Sequence, residues 1–472
     1  MRSLGRAIVA FVVGGVVFLA AGAVGITAFI AGSDDPVVPV DESLGPWTIL
    51  VGSSRPPTNL LVAAVLAMVS VAAGALALEA GTVLRRTRNP DREALADQSP
   101  ILRHEPGFAG PVAVTVLIPA HDEETSLPAT LIALREQTRQ PERVVVVADN
   151  CSDRTAEIAR EFGHEAFVTV ANDHRKGGAL NQALDEVLAG MGPRDVIMVM
   201  DADTRIGPRY LEVAAGRFAT DPNLDAVGGV FFGEQGHGLV GQFQRNEYIR
   251  YSAEIKRRRG RVFVLTGTAS VFRAGALRTV AAARGIVIPG RPGQVYDTSA
   301  LTEDNELTIA LKSLGCSMVS PAECTVTTEL MPTWRNLWRQ RLRWQRGALE
   351  NIGAYGLTSA TARYWGQQIG IAYGTIALCS AILLVVIAAF AADEVVWFPF
   401  WLALGAVFLV ERVVTVWAGG WRARILAAFV VPEIVFDLYL QAAFVRCLTD
   451  ITRNQRASWG HVRHATPPKE QP

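Results

Sequence analysis

Two carboxylates separated by one small residue, Asp201 and Asp203 around Ala202, follow directly on five apolar residues, 196–200. An unbroken apolar run of that length reads as a strand buried on both faces of a parallel sheet. In an open α/β sheet the carboxyl ends of the strands are where ligands bind. A pair of hard oxygen donors there suits Mg²⁺ or Mn²⁺ held jointly with a diphosphate. The same residues also suit an acidic turn or a helix cap. Two more acidic loops follow apolar runs. After 112–118 come Pro119, Ala120, His121, Asp122, Glu123 and Glu124, and after 143–148 come Asp149, Asn150, Cys151, Ser152 and Asp153. A carboxylate such as Asp149 accepts from a base imide N–H or from sugar hydroxyls, whereas turn chemistry accounts for Asp153. Residues 174–178, His-Arg-Lys-Gly-Gly, bring Lys176 and exposed backbone N–H groups ahead of a helical pattern. That arrangement is a natural phosphate site, and equally a solvated basic turn.

The elements that must position these residues alternate in kind. The spacing predicts strands at 112–118, 143–148, 166–170 and 196–200, and helices at 126–136, 153–162, 179–188 and 306–313. Strand–helix alternation at this pitch implies right-handed crossovers and an α/β domain with a mainly parallel sheet. No G-x-G-x-x-G follows the first strand and no P-loop occurs, so neither a dinucleotide fold nor an NTPase is supported.

The 472 residues allow two or three domains. Half of them are hydrophobic and 19% are charged, an apolar balance for a purely soluble protein. Lys plus Arg and Asp plus Glu number 45 each, so no global field points to nucleic acid. The five cysteines are scattered without C-x-x-C and read as small apolar fillers. Residues 8–30 and 60–84 are each long enough to span a bilayer at roughly 20 residues. Arg2, Arg6, Arg85, Arg86 and Arg88 flank them, and the intervening loop is acidic. This predicts an N-terminal hairpin of two spans with both outer ends cytoplasmic. Three further apolar segments, 369–392, 395–417 and 425–448, follow the α/β block. The last contains Pro432, Glu433 and Asp437, costly against lipid, and reads as re-entrant, packed inside the bundle or partly interfacial. The basic tail, 449–472, conflicts with a full third span, and its side stays open.

The ordered set of motifs resembles the family-2 glycosyltransferases with a GT-A fold. The residues that carry the likeness are 119–124, 148–153, Lys176 to Asn181, and Asp201 with Asp203. Downstream, Thr302, Glu303 and Asp304 look like the T-E-D catalytic motif, and Gln340, Arg343 and Trp344 like the Q-x-x-R-W motif of the membrane-bound processive members. Those members are the cellulose, hyaluronan, chitin and poly-N-acetylglucosamine synthases. The chain departs at Ala148, where the family often has a second aspartate, and at Asp122, where asparagine is common. The resemblance implies a GT-A, Rossmann-like cytosolic domain at 85–330 inserted between transmembrane helices. Around it lie a membrane hairpin at 1–84, interfacial helices at 331–364 and a transmembrane region at 365–448. It implies an inverting transferase in the inner or plasma membrane that extends a β-linked polysaccharide from UDP-N-acetylglucosamine or UDP-glucose, with Mg²⁺ or Mn²⁺, a lipid bilayer and accessory export subunits as partners. The rivals are single-sugar transfer to a lipid carrier and a catalytically inactive nucleotide- or polymer-sensing subunit.

Roles follow from that resemblance residue by residue. Asp304 is the expected general base, with Glu303 and Thr302 beside it in the catalytic motif. Ala120, Glu123, Asp149, Lys176, Asp201, Gln340, Arg343 and Trp344 are the expected donor-binding residues. Gly267, Thr268 and Trp344 are the expected acceptor side, and Asp201 and Asp203 the metal ligands. Thr302 to Asp304 would also serve merely to cap the helix at 306–313. Gln340, Arg343 and Trp344, at i, i+3 and i+4, share a helix face within 334–349. That helix is rich in Arg and Trp and reads as an interfacial anchor as well as a donor-site wall.

Overall fold

Residues 110–391, 396–397, 399–453 and 455, with the backbone of β1 (Pro39–Leu44) and β2 (Trp47–Gly52), are described by the structure, a computed structural model. The expected spans at 8–30 and 60–84, and most of the basic tail, lie outside the described residues. The chain divides into two units: Met1–Ile8, Ile101–Arg363 and Ala442–Pro472 form the first, and Val9–Pro100 with Tyr364–Gln441 form the second.

In the first unit the expected alternation is present. It begins β3 (Ala113–Ala120), α1 (Leu127–Arg135), β4 (Arg143–Ala148), α2 (Thr155–Glu161), β5 (Glu165–Val168), α3 (Arg175–Ala189) and β6 (Asp195–Met200). It continues with β7 (Arg205–Ile206), α4 (Tyr210–Thr220), β8 (Leu224–Gly228), β9 (Val230–Gly233), α5 (Gly238–Arg257), β10 (Ala269–Arg273) and α6 (Ala274–Ala283). Then follow α7 (Glu303–Ser313), β11 (Ser317–Val319), β12 (Thr325–Thr328) and α8 (Trp334–Tyr355). Seven strands form the main sheet in the order β11-β8-β10-β6-β3-β4-β5, and β7-β12-β9 form a small second one. Within the main sheet only β10 runs against its neighbours. The mainly parallel α/β expectation therefore holds for the sheet that matters, consistent with a GT-A-like domain.

Side chains alternate across this sheet because successive Cβ atoms point to opposite faces. Along β6, Val196, Met198 and Met200 enter the core under α1, α2 and α4, while Ile197 and Val199 enter the core under α3, α6 and α7. Both faces are covered, which is why these strands read as unbroken apolar runs. Each fully buried Val, Leu or Met contributes about 1.5–3 kcal/mol.

Three boundaries that bear on the site differ from the sequence reading. β3 continues through Pro119 to Ala120 instead of stopping at Ile118. Asp149 N donates to Ala120 O at 2.8 Å, so Ala120 bonds toward β4 and, by alternation, the Pro119 nitrogen faces β6. Pairing with β6 ends at Leu117, so the missing N–H costs nothing there. α3 begins at Arg175 rather than at 179, placing Lys176 in its first turn. The glycines that suggested a turn are helical. A Cβ on Gly178 would lie 2.2 Å from Asn172 Oδ1, so close approach of that side chain, and not a turn, requires glycine. α7 begins at Glu303 instead of Glu306, so Glu303 and Asp304 stand in its first turn and not in a loop.

In the second unit β1 and β2 pair antiparallel, and β13 (Val396–Trp397) joins β2. α9 (Ala362–Ala391) coincides with the expected segment 369–392, and its stretch Ala362–Leu383 is long and apolar enough to cross a membrane. α10 (Pro399–Thr415) falls within the expected segment 395–417. The expected segment 425–448 is not one helix. It is broken into α11 (Gly420–Ala428) and α12 (Val430–Thr452), bent by 91°. Pro432 is the reason: lacking an N–H, it cannot bond back to the Ala428 carbonyl, but it is tolerated in the first turn of a new helix. Glu433 is buried, yet Arg412 donates to its Oε2 at 2.9 Å and to Asp437 Oδ2 at 2.8 Å. The acids that looked expensive are thus paired.

Candidate functional site

β6, β3 and β4 are parallel neighbours, so Asp201, Ala120 and Asp149 leave the sheet at one edge. β10 is antiparallel to β6 with Ala269 opposite Met200, so the residues ahead of it, Thr266, Gly267 and Thr268, reach that same edge. Asp201 N donates to Thr268 O at 3.1 Å and fastens the two loops together.

Lys176 is the hub. Its Nζ lies 2.6 Å from Asp201 Oδ1 and 3.3 Å from Glu303 Oε1. Burial works against its charge, but Asp201, Glu303 and Asp304 outweigh this and hold the ammonium above its ordinary range. Sequence reading offered Lys176 as part of a phosphate site or of a solvated basic turn; here it ties the loop after β6 to the start of α7.

Asp304 Oδ2 accepts from Gly267 N at 3.1 Å, and its Oδ1 accepts from Asn305 N at 2.7 Å. Burial first, and then the neighbouring Glu303 carboxylate, push its carboxyl up to about 6, against the pull of Lys176. A small cavity of about 20 Å³, room for about one water, is lined by Lys176, Gly267, Tyr296, Glu303 and Asp304 among others. It is far too small for a nucleotide.

Asp203 stands among carboxylates. Burial raises it first, and Asp201, Glu123 and Glu329 add to this, pushing it up to about 7. Thr204 Oγ1 donates to Asp203 Oδ1 at 3.2 Å. A crowd of hard oxygen donors carrying more negative charge than Lys176 offsets fits a divalent cation. Asp201 meets Lys176 through Oδ1, which leaves Oδ2 outside that contact. Among the described residues a tighter group of possible metal donors is Asp122, Cys151 and Asp153. Its carboxylates are already engaged: Ser152 N donates to Asp122 at 2.6 Å, and Thr155 N and Glu124 N donate to Asp153 at 2.9 Å each. Burial also pushes the Cys151 thiol up, away from thiolate. That group organises a loop, as expected for Asp153.

Asp149 is buried, and its Oδ1 accepts from Thr169 Oγ1 and Asn172 Nδ2, each at 2.8 Å, and from Asn150 Nδ2 at 3.3 Å. Asn172 Nδ2 also reaches Arg175 O at 2.8 Å. Asp149 is thereby joined, through the start of α3, to Lys176 and on to Asp201 and Glu303. Ala120 is buried in the core, and its carbonyl accepts from Asp149 N. Glu123 N is held by Thr155 Oγ1 at 2.8 Å, and Ser126 Oγ donates to its carboxylate.

Thr302 does not cap α7 with its side chain. Asn351 Nδ2 of α8 instead donates to Thr302 Oγ1 and O, both at 3.1 Å, and to Asn305 Oδ1 at 3.0 Å. The capping alternative thus fails for Thr302, and the motif is fastened to α8. Gly347 makes this contact possible: a Cβ there would lie 2.3 Å from Thr302 Oγ1. Gly347→Val should therefore destabilise the domain by about 1–3 kcal/mol, overpacking outweighing the gain in helix propensity. Chemical denaturation reads this, and unchanged stability would show that the contact yields freely.

Gln340, Arg343 and Trp344 lie on α8 as expected, but they separate. Trp344 stacks under the Arg341 guanidinium at 4.6 Å, and Arg341 pairs with Glu247 at 2.7 Å. Arg343 lines a second cavity that does not include Lys176, Asp201 or Asp304. Gln340 Oε1 is buried without a hydrogen-bond partner among the described residues.

Residues that sequence reading missed are Asn172, Tyr296, Glu329 and Asn351. Asn181 and Tyr296 exchange reciprocal bonds of 2.9 and 2.8 Å across 115 positions. Asn181 stood in a quoted motif, but nothing local pointed to its partner.

A sequence profile described as "Glycosyltransferase like family 2" matches residues 111–347, just over half of the chain. The "Probable glycosyltransferase YdaM" of Bacillus subtilis (strain 168) is 31% identical over 248 residues, 50% of this chain and 54% of its own. The "Poly-beta-1,6-N-acetyl-D-glucosamine synthase" of Staphylococcus aureus (strain COL) is 25% identical over 243 residues, 50% of this chain and 55% of its own. The match thus spans about half the length of these relatives. Among solved structures, the mannosyltransferase PcManGT from Pyrobaculum calidifontis, in complex with GDP-Man and Mn²⁺, aligns with a TM-score of 0.49 at 16% identity, over 80% of this chain and 100% of that one.

Proposed function

From a chain that belongs to the glycosyltransferase-like family 2, we propose an inverting, metal-dependent transferase that adds a sugar from a UDP-sugar to a β-linked polysaccharide. UDP-N-acetylglucosamine is the favoured donor and UDP-glucose the next, because a relative sharing 243 aligned residues is named for a poly-N-acetylglucosamine product. The observation that carries the reading is the meeting, at one sheet edge, of Asp201 with Lys176, Glu303 and Asp304.

Asp201 and Asp203 would hold Mg²⁺ or Mn²⁺, which supplies charge neutralisation for a nucleoside diphosphate leaving group. Lys176 adds a fixed cation on the same side. Asp149 offers Oδ2 to a base imide N–H, while Oδ1 stays with its loop. Asp304 takes the proton from the acceptor hydroxyl as it attacks, and one base with one displacement gives inversion. Gly267 N–H keeps that carboxylate aimed, so Gly267 and Thr268 belong to the acceptor wall. Trp344 presents a ring for a sugar's C–H face. The apolar stretch Ala362–Leu383 supports a catalytic domain held at a membrane on its cytoplasmic side, with the polymer passed outward.

The test is a donor screen on the detergent-purified full chain, following UDP release and product mass with Mn²⁺, Mg²⁺ or chelator. Turnover with one UDP-sugar, loss under chelator, and a ladder of products are expected. Asp203→Asn should lower turnover about 100-fold or more. A single addition at every donor level would replace polymer extension by transfer to a carrier. No UDP release with any donor would leave a sensing subunit.

A further inference from the structure

α7 starts without a cap of its own. Thr302 precedes it, and the Thr302 side chain takes none of the first-turn N–H groups. The place of Glu303 and Asp304 is therefore set by contacts from elsewhere in the fold. α8 supplies them from one face. Gly347, Asn351 and Tyr355 recur there at i, i+4 and i+8. Gly347 admits Thr302, Asn351 bonds Thr302 and Asn305, and Tyr355 Oη donates to Glu306. Asn351 is buried within a helix, where asparagine is a poor helix former and its amide must find partners. Its Nδ2 has two hydrogens and meets three acceptors. Thr302 O and Oγ1 share one at 3.1 Å each, and Asn305 Oδ1 takes the other at 3.0 Å. Thr302 O also accepts from Glu306 N at 3.1 Å, so the amide grips α7 at its opening bond. Asn305 N donates to Asp304 Oδ1 at 2.7 Å. Asn351 thus holds residues on both sides of Asp304. From the cleft side, Thr308 Oγ1 donates to Asp304 O at 2.7 Å and accepts from Leu265 N at 2.9 Å.

We propose that Asn351 is a positioning residue for the transfer: it sets the first turn of α7 so that the Asp304 carboxylate meets the acceptor hydroxyl, and it does so from the helix that carries Gln340, Arg343 and Trp344. This inference rests on the reading of Asp304 as the base. Without the amide, the first turn of α7 loses its hold on α8. The Asn305 N–H then supports Asp304 Oδ1 less well, and a carboxylate with a weaker donor binds its proton more readily. A shift of about 1 Å at a reacting group costs about 10²-fold in rate. The donor is held by other residues, so its binding does not share in the loss.

The full chain, purified in detergent, is assayed for UDP release with the UDP-sugar that the donor screen selects, across the pH range. Asn351→Leu should lower kcat about 10- to 100-fold and leave the donor KM within about twofold. It should also move the acid limb of the rate upward from about 6. Added to Asp304→Asn it should cost nothing more, since it acts through that carboxylate. Leu134→Ala, in the last turn of α1 and away from the cleft, should lower the melting midpoint at least as far and leave the pH profile in place. Parent kcat and acid limb in Asn351→Leu, with Asp304→Asn inactive, overturn the positioning role alone. The same fall in kcat and the same limb shift in Leu134→Ala would make Asn351 a packing residue, which also overturns it. Full turnover in Asp304→Asn, or no turnover with any donor, removes the base reading and this inference together. If Asn351→Leu does not fold, Asn351→Asp, which keeps the volume and removes the donors, must show the fall in kcat, or the inference is equally excluded.

Discussion

Asp304→Asn should cut turnover by about 10²–10⁴-fold while the donor still binds. Its surroundings suit the proposed role of general base. Gly267 N and Asn305 N each hold one oxygen, Lys176 stands beside it, and burial, then Glu303, push its carboxyl up to about 6, above the usual carboxylate range. A base raised toward neutrality is stronger than an ordinary aspartate and still ionised at pH 7. Asparagine keeps the shape and one backbone bond, but turns an N–H toward the Gly267 N–H. A loss of about 1–3 kcal/mol in stability accompanies the change. UDP release measures the first effect, calorimetric donor titration the second, and the melting midpoint the third. In the parent chain the rate should fall as pH drops through about 6, since protonated Asp304 accepts nothing. A variant with full turnover would move the base elsewhere, and a rate flat from pH 5 to 8 would say the same.

Arg284→Met should be the most destabilising single change in the domain, by about 3–5 kcal/mol. Arg284 and Glu306 are buried, and they form two parallel bonds of 2.6 and 2.7 Å. The guanidinium also meets Val295 O at 2.6 Å and Pro289 O at 2.8 Å, and Tyr355 Oη donates to Glu306 at 2.5 Å. Methionine leaves Glu306 charged, without a cation, in the core. Gly290, at φ +114, makes room for the arginine, since a Cβ there would lie 2.6 Å from Arg284 Cδ. Glu306 is two residues beyond Asp304 in α7, so slack here reaches the catalytic turn. Urea unfolding should show the full loss for Arg284→Met and a partial recovery for Arg284→Met with Glu306→Met, because the pair is coupled. Additive losses would mean that each residue acts alone.

The strands that carry the acidic loops were legible within two residues, because a strand covered on both faces must be apolar throughout. The helix starts were not. α3 and α7 each start three residues or more ahead of where periodicity placed them, which brings Lys176 and Asp304 into first turns, because a first turn is set by contacts and not by apolar spacing. The gathering of Asp201, Glu303 and Asp304 was legible only as an ordered set of motifs. Its agent, Lys176 bridging residues about a hundred positions apart, has no local signature. The Arg284–Glu306–Tyr355 network was invisible for the same reason: each member looks like a surface residue until the chain brings the others to it. The even spacing of Gln340, Arg343 and Trp344 suggested one shared face, yet Arg341 claims Trp344 while Arg343 faces a cavity of its own.

The reversed direction of β10 divides the edge of the sheet between two stretches of sequence. The walls built by β3, β4 and β6 arrive on their outgoing loops, whereas Thr266 to Thr268 arrive on an incoming one. The incoming stretch therefore touches both walls at once, Thr268 O holding Asp201 N and Gly267 N holding Asp304, while Val262 and Leu265 root it in the core. A change of length there would move the two acids together without shifting the register of the parallel strands, so this stretch sets the width of the cleft.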